Sequence, residues 1–185
     1  MVLNAELRPD MQMIPAFVDG RLKPVEKLEV HRRGLRHPAV SVFVTRDGAI
    51  LMQQRALTKY HTPGLWANTC CTHPHWGEAA ATCAARRLDE ELGLGGLPLR
   101  VAGKVEYRAD VAGGLTEHEV VDIFTAEAPA GVEPVANPDE VAATAWMTLA
   151  DLRRQIAVRP ERFTPWLRIY LAQHAQLIFG DKVAG

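Results

Sequence analysis

The sequence predicts a single domain of the α/β or α+β class. Short β-branched runs, such as residues 39–45 (AVSVFVT), alternate with segments of helical period, so strands and helices are interspersed along the chain. Asp47-Gly48 sits between two such runs and marks a hairpin. No internal repeat, low-complexity tract or linker interrupts the 185 residues, a length that one core can fill.

Taken in order, residues 1–14 are expected to be a loosely held leader bracketed by Pro9 and Pro15. Phe17-Val-Asp-Gly-Arg reads as strand and turn. Residues 25–34 (VEKLEVHRRG) are charged and read as a short helix or connector carrying Lys27 and His31. The strand at 39–45 turns back through Arg46-Asp47-Gly48, and its partner at 49–54 delivers Arg55. Residues 56–66 contain Lys59, Tyr60, His61, Pro63 and Gly64, and are expected to be a loop folded over a site. A strand is predicted at 66–72, and the clearest helix at 78–92. Its apolar stripe is Ala81, Ala85, Leu88 and Leu92, Gly93 is its C-cap, and Arg86–Glu90 and Arg87–Glu91 form i,i+4 pairs. Further strands are expected at 101–107, 117–126 and 141–147, with a Gly-rich turn at 110–115 and a surface loop at 133–140. Thr148 caps a helix at 149–155. A C-terminal helix covers 162–179, with Trp166 in its first turn.

Hydrophobic residues make up 48% and charged residues 23% of the chain, an ordinary globular balance. The formal net charge of −1 gives no reason to expect a nucleic-acid partner. The N-terminus lacks the basic head and apolar core of a secretory signal, and no run reaches the ~18 apolar residues of a membrane span. Three cysteines, two of them adjacent, fit free thiols in a reducing cytoplasm better than a disulfide framework.

Residues an even number apart in an extended segment face one side. Cys71 and His73 are two apart, as are Glu117 and Glu119; His31 and His37 are six apart. Three imidazoles and two carboxylates presented in this way would make an N3O2 site for Zn2+, Mn2+, Fe2+ or Mg2+. Val121 and Ile123 continue the face of Glu119, so that carboxylate points where apolar side chains point. A carboxylate buried there needs a metal, a cation or a raised pKa. A lone histidine is more often a hydrogen-bonded surface or half-buried residue than a ligand, and His61, His75, His118 and His174 are assigned that ordinary role. Glu90 and Glu91 oppose the dipole at their helix end; they either pair with Arg86 and Arg87 or help to hold a cation. Arg55 and Lys59 are placed to hold an anion, or are simply solvated.

Residues 72–94 (THPHWGEAAATCAARRLDEELGL) resemble a Nudix box, Gly-x5-Glu-x7-Arg-Glu-Leu-x-Glu-Glu-x-Gly-Leu. Glu78, Arg86, Leu88, Glu90, Glu91, Gly93 and Leu94 match. Thr72 replaces the leading glycine, and Arg87 replaces the glutamate after Arg86, a usual metal ligand. Together with Asn68 to Pro74 (NTCCTHP), Tyr107-Arg108-Ala109, Glu117-His118-Glu119 and Pro165-Trp166, the pattern is similar to the type I isopentenyl-diphosphate isomerases, from about Lys27 to Trp166. The resemblance implies a Nudix-like fold over residues 1–185: a mixed β-sheet sandwiched between helices, with an extra N-terminal segment and a C-terminal helix. It implies interconversion of isopentenyl and dimethylallyl diphosphate in isoprenoid precursor biosynthesis; hydrolysis of a diphosphate is the alternative.

In the roles implied by the resemblance, Cys71 is the catalytic thiol, a thiolate favoured by Lys or Arg and a metal. Glu119 and Tyr107 are its proton-transfer counterparts, and Trp166 lies over the substrate. His31, His37, His73, Glu117 and Glu119 hold one divalent metal (Mn2+, Zn2+ or Mg2+), and Glu91 holds a Mg2+ that arrives with the diphosphate. Lys27, Arg55, Lys59 and Arg87 clamp that diphosphate. The partner implied is a small isoprenyl diphosphate, without nucleic acid or membrane insertion, and the chain is expected to be a cytoplasmic monomer or weak homodimer.

Overall fold

The computed structural model describes residues 12–180, built around a seven-stranded mixed sheet with helices on both faces. Met13–Val18 (β1) and Arg21–Glu26 (β2) form a separate hairpin, followed by helix Lys27–Arg33 (α1). The central strand is Arg36–Arg46 (β3). It meets Ala49–Arg55 (β4) across the Asp47-Gly48 turn, Cys70–Thr72 (β6) antiparallel, and Thr116–Glu127 (β8) in parallel over ten residues. Trp66–Ala67 (β5) and Val141–Thr148 (β9) flank β4, and Arg100–Asp110 (β7) closes the edge beside β8.

β3 and β4 pair only at Thr45–Ile50 and Arg46–Ala49, then separate. Polar side chains from the segment between β5 and β6 bridge the opening. Thr69 Oγ1 accepts from Val44 N–H (2.8 Å) and donates to Leu51 C=O (2.6 Å), while Asn68 Nδ2 donates to Val42 C=O (3.0 Å). The strand expected at 66–72 is therefore broken at Asn68-Thr69. Those residues satisfy the freed backbone groups with side chains, as buried polar backbone requires.

The alternation of β3 sorts two cores. Ala39 and Phe43 face helices Leu149–Val158 (α3), Pro165–Gln173 (α4) and Ala175–Phe179 (α5), in a core that includes Val121, Ile123, Trp166 and Tyr170. Val40, Val42 and Val44 face helix Ala80–Leu92 (α2). The buried face of α2 is Cys83, Ala84, Leu88, Glu91 and Leu92. The expected stripe is thus correct at Leu88 and Leu92 but one position off at its start, because Ala81 and Ala85 are exposed. Gly93 caps α2 with φ +63°, its N–H bonded to Asp89 C=O and Leu88 C=O, a left-handed conformation that glycine adopts without strain.

Other boundaries also moved. Residues 1–11 of the expected leader lie outside the described residues, but Met13 and Ile14 belong to β1, and Ile14 is fully buried. The expected helix at 162–179 is divided into α4 and α5, after a 3₁₀ turn at Pro160–Arg162. No helix among the described residues is long and apolar enough to cross a membrane.

Candidate active site

Three histidines converge on the face of the sheet that carries α4. His31 is presented by α1, whose start is fixed by Glu26: its carboxylate accepts from Leu28 N–H and Glu29 N–H, each at 2.8 Å. His37 comes from the second position of β3, and His73 follows β6. Their rings lie 4.9 to 5.1 Å apart, and both His31 and His37 are fully buried. His31 Nδ1–H donates to Lys27 C=O (2.6 Å), and His37 Nδ1–H to Leu35 C=O (2.7 Å). These bonds fix the tautomer that leaves Nε2 with a lone pair, the form a metal needs.

The arrangement fits a divalent metal. Ligand atoms of His31, His37, His73 and Glu119 all lie within 4.8 Å of one another. His37 Nε2 is 3.1 Å from His73 Nε2, and His73 Nε2 is 2.9 Å from Glu119 Oε1. His31 Nε2 is buried without a hydrogen-bond partner, a costly state that a cation relieves. Burial lowers the His31 pKa to about 4 and holds His73 well below the usual imidazole range, so both are neutral. Imidazole and carboxylate donors together suit Zn2+, Mn2+ or Mg2+.

β8 presents Glu117 and Glu119 on its buried face, in line with Val121 and Ile123. Tyr107, paired with Glu119 across β7 and β8, bridges the two carboxylates. Its hydroxyl oxygen is 2.7 Å from Glu119 Oε2 and 3.0 Å from Glu117 Oε2. Burial, with the Glu119 charge beside it, pushes the Glu117 carboxyl well above the carboxylate range. Burial also opposes ionisation of Glu119, but the imidazoles of His37 and His73 outweigh it and hold its carboxyl well below that range. A single proton on Tyr107 cannot donate to both carboxylates, so a protonated Glu117 is the partner that completes the bridge.

His61 corrects the expectation that it plays an ordinary role. It is only 7% exposed, its Nε2 is 3.0 Å from Glu117 Oε1, and it forms a second candidate ligand group with His31 and Glu117. Glu117 therefore lies beside the four-residue cluster, in a group that shares His31. A usable signal was present, since His61 sits in the loop expected to fold over the site. His75 is exposed, and His118 meets Glu106 on the outer face of β8, as expected.

Cys70 and Cys71 point to opposite faces of the sheet. Cys70 lies in the α2-side core, whereas Cys71 packs against the core that holds Trp166. The Cys71 thiol donates to Asn68 Oδ1 (2.9 Å) and lies 3.0 Å from Ser41 Oγ, which in turn is 3.0 Å from Tyr170 Oη. A thiolate at Cys71 depends on the metal and cations expected beside it as well as on these neighbours. Burial pushes the thiol well above its usual range, and Glu119 adds to the effect. Of the four expected bases, Arg87 pairs with Glu91 and Lys59 with Glu140. Ser41 and Tyr170 were not foreseen, because a lone serine in a strand and a lone tyrosine in a helix carry no chemical pattern.

The four expected clamp residues gather at the other end. Burial, then the neighbouring charges of Lys59, Arg87 and Arg55, lower the Lys27 pKa to about 8. Arg87 Nη2 donates to Glu91 Oε1 (2.6 Å), and Gln53 Nε2 donates to Glu91 Oε2 (3.0 Å), so the buried Glu91 is held from two sides. Glu90 is exposed and pairs with Arg86 and Arg87. Arg55 donates to His61 C=O (3.2 Å), and its guanidinium lies over the Trp166 ring, 5.4 Å from the centroid. The structure thus brings together Cys71, Glu119, Tyr107, Trp166, the three histidines and Glu117, with Lys27, Arg55, Lys59, Arg87 and Glu91 alongside.

Comparison with known proteins agrees with this geometry. The NUDIX domain family matches residues 35–167. An isopentenyl-diphosphate Delta-isomerase of Rhodobacter capsulatus is 66% identical over 173 residues, which cover 94% of this chain and 98% of the relative. One from Cereibacter sphaeroides is 65% identical over 169 residues, covering 91% and 96%. Among solved structures, a Deinococcus radiodurans protein superposes with a TM-score of 0.71 at 14% identity, covering 88% of this chain and 98% of that one, a likeness of fold.

Proposed function

The chain belongs to the NUDIX family and, within it, to the isopentenyl-diphosphate Delta-isomerases, and from that premise we propose how its residues do the work. The enzyme interconverts isopentenyl and dimethylallyl diphosphate by moving a carbon–carbon double bond. One observation carries the residue assignment: a buried proton-transfer group, Cys71 with Glu119 and Tyr107, lies beside a separate cluster of four cations.

Lys27, Arg55, Lys59 and Arg87 hold the diphosphate, which keeps the allylic product from losing it and fixes the hydrocarbon for proton transfer. Tyr107, hydrogen-bonded to Glu119, delivers its phenolic proton to the alkene, and the proton held on Glu117 restores it through the same bridge. A new C–H bond forms, and a tertiary cation remains. The Trp166 indole faces that cation, a contact worth ~2 kcal/mol or more when desolvated. Cys71, acting as the thiolate, takes a proton from the neighbouring carbon and becomes the thiol, and the electrons of that C–H bond become the new double bond. The reverse reaction uses the same groups in exchanged roles, and there the neutral Cys71 thiol is the donor.

His31, His37, His73, Glu117 and Glu119 would hold the resident metal, Mn2+, Zn2+ or Mg2+, and Glu91 a Mg2+ accompanying the diphosphate, supplying positive charge beside the acid and the phosphates. Arg87, in place of the usual box glutamate, is paired with Glu91 and leaves the hydrolytic metal set incomplete. We read the chain as a monomer or weak homodimer, working in a reducing cytoplasm where its free thiols persist.

The test is incubation with isopentenyl diphosphate and Mg2+, following the dimethylallyl isomer and free phosphate together. Isomer without phosphate is expected; phosphate without isomer would favour the hydrolase.

A further inference from the structure

We propose that Glu140 is an internal competitor for the diphosphate clamp, a carboxylate that the substrate must displace. The inference rests on the clamp assigned above. Glu140 ends the loop between β8 and β9. Its backbone is fixed on two sides: Glu140 N–H donates to Asn137 C=O (3.0 Å), and Ala56 N–H donates to Glu140 C=O (3.0 Å). Asn137 N–H donates to Glu91 C=O (2.9 Å), which ties the same loop to α2. The half-buried Glu140 side chain is thereby held against the clamp, where its Oε2 bonds Lys59 Nζ and lies 3.1 Å from Arg87 Nη2.

Two of the four clamp cations are therefore already held by a carboxylate of the chain itself. Glu91 also meets Arg87 but has Gln53 as a second partner, whereas the carboxylate contacts of Glu140 are both cations of the clamp. Any anion entering the clamp has to take Lys59 and Arg87 from Glu140. That requirement lowers the affinity of every anion by a similar factor. A diphosphate also reaches Lys27 and Arg55, and still binds; a single phosphate is left too weak to block the site. Glu140 sets a threshold that keeps ambient phosphate from occupying a strongly cationic pocket, and it hastens product departure by returning to its cations.

The experiment is a calorimetric titration of the metal-loaded protein with inorganic phosphate and with inorganic diphosphate. Glu140→Gln should bind both about tenfold tighter, the order expected when one unit charge is removed beside a partly exposed anion. The gain should be smaller in a Lys59→Gln background, where one of the two cations held by Glu140 is gone. Unchanged or weaker phosphate binding in Glu140→Gln overturns the proposal, as does an equal gain in both backgrounds. Binding is read without turnover, so the two readings fail separately. A protein that shows this pattern but does not isomerise refutes the catalytic assignment. One that isomerises without it refutes the role of Glu140.

Discussion

Removing one oxygen atom, Tyr107→Phe, tests the proton-transfer end of the site. The phenol is 2.7 Å from Glu119 Oε2 and 3.0 Å from Glu117 Oε2. Its ring packs edge-on against Tyr170, with centroids 5.8 Å apart, so phenylalanine keeps the packing. A hydrogen bond to a charged group contributes ~1.5–3 kcal/mol. If the Glu119 bond operates while the proton is in flight, its loss slows turnover roughly 10- to 100-fold, at ~1.4 kcal/mol per factor of ten. KM should change little, because the diphosphate clamp lies elsewhere. The assay is the rate of dimethylallyl diphosphate formation at saturating substrate, with metal content measured on the same sample. Turnover within about twofold of the parent refutes the role of the phenol, as does a loss that only follows a loss of metal.

Ser41→Ala removes the hydroxyl between Cys71 and Tyr170. It leaves the buried Tyr170 hydroxyl without that partner, at a cost of ~1–3 kcal/mol, so thermal denaturation should come earlier and kcat should fall severalfold; an unchanged kcat excludes Ser41 from positioning the thiol. Lys27 titrates near pH 8, below its ordinary 10.5, so its charge and its hold on the diphosphate are present below about 8 and are lost above it. KM should rise as pH climbs through 8, and a flat KM contradicts the assignment. In stability the sign is opposite, because the depressed value means that charged Lys27 disfavours the fold below about 8, a penalty relieved as pH rises toward 10.5. His31→Ala removes one of four converging ligands; tightly bound metal should drop below one per chain, measured by elemental analysis, with a lower melting temperature. Full metal occupancy in that variant would remove His31 from the ligand set.

Much of this was legible because its signals are local. Parity placed Glu117 and Glu119 on the face of Val121 and Ile123, and the structure keeps them there. The Asp-Gly hairpin and the Gly93 cap rest on backbone conformations that few residues adopt comfortably. Parity could not explain why His31 and His37 meet, since one is on a helix and the other on a strand; the turn at Gly34 brings them together. His61 escaped because its partner, Glu117, is 56 residues away, and only its place in the loop expected to fold over the site pointed to the contact. The broken strand at Asn68-Thr69 depends on β3 and β4 separating, a long-range event. The state of Cys71 is set by burial and by Ser41, Asn68 and Glu119, groups that come together only on folding.

The most direct measurement is isomer formation by Cys71→Ala and Cys70→Ala, compared with the parent under identical metal loading. The two thiols are neighbours in sequence but face opposite cores, and only Cys71 shares the core that holds Trp166. Cys71→Ala is expected to keep its fold and metal and lose isomerisation, while Cys70→Ala retains it. Near-full turnover in Cys71→Ala, with loss in Cys70→Ala, would contradict this expectation.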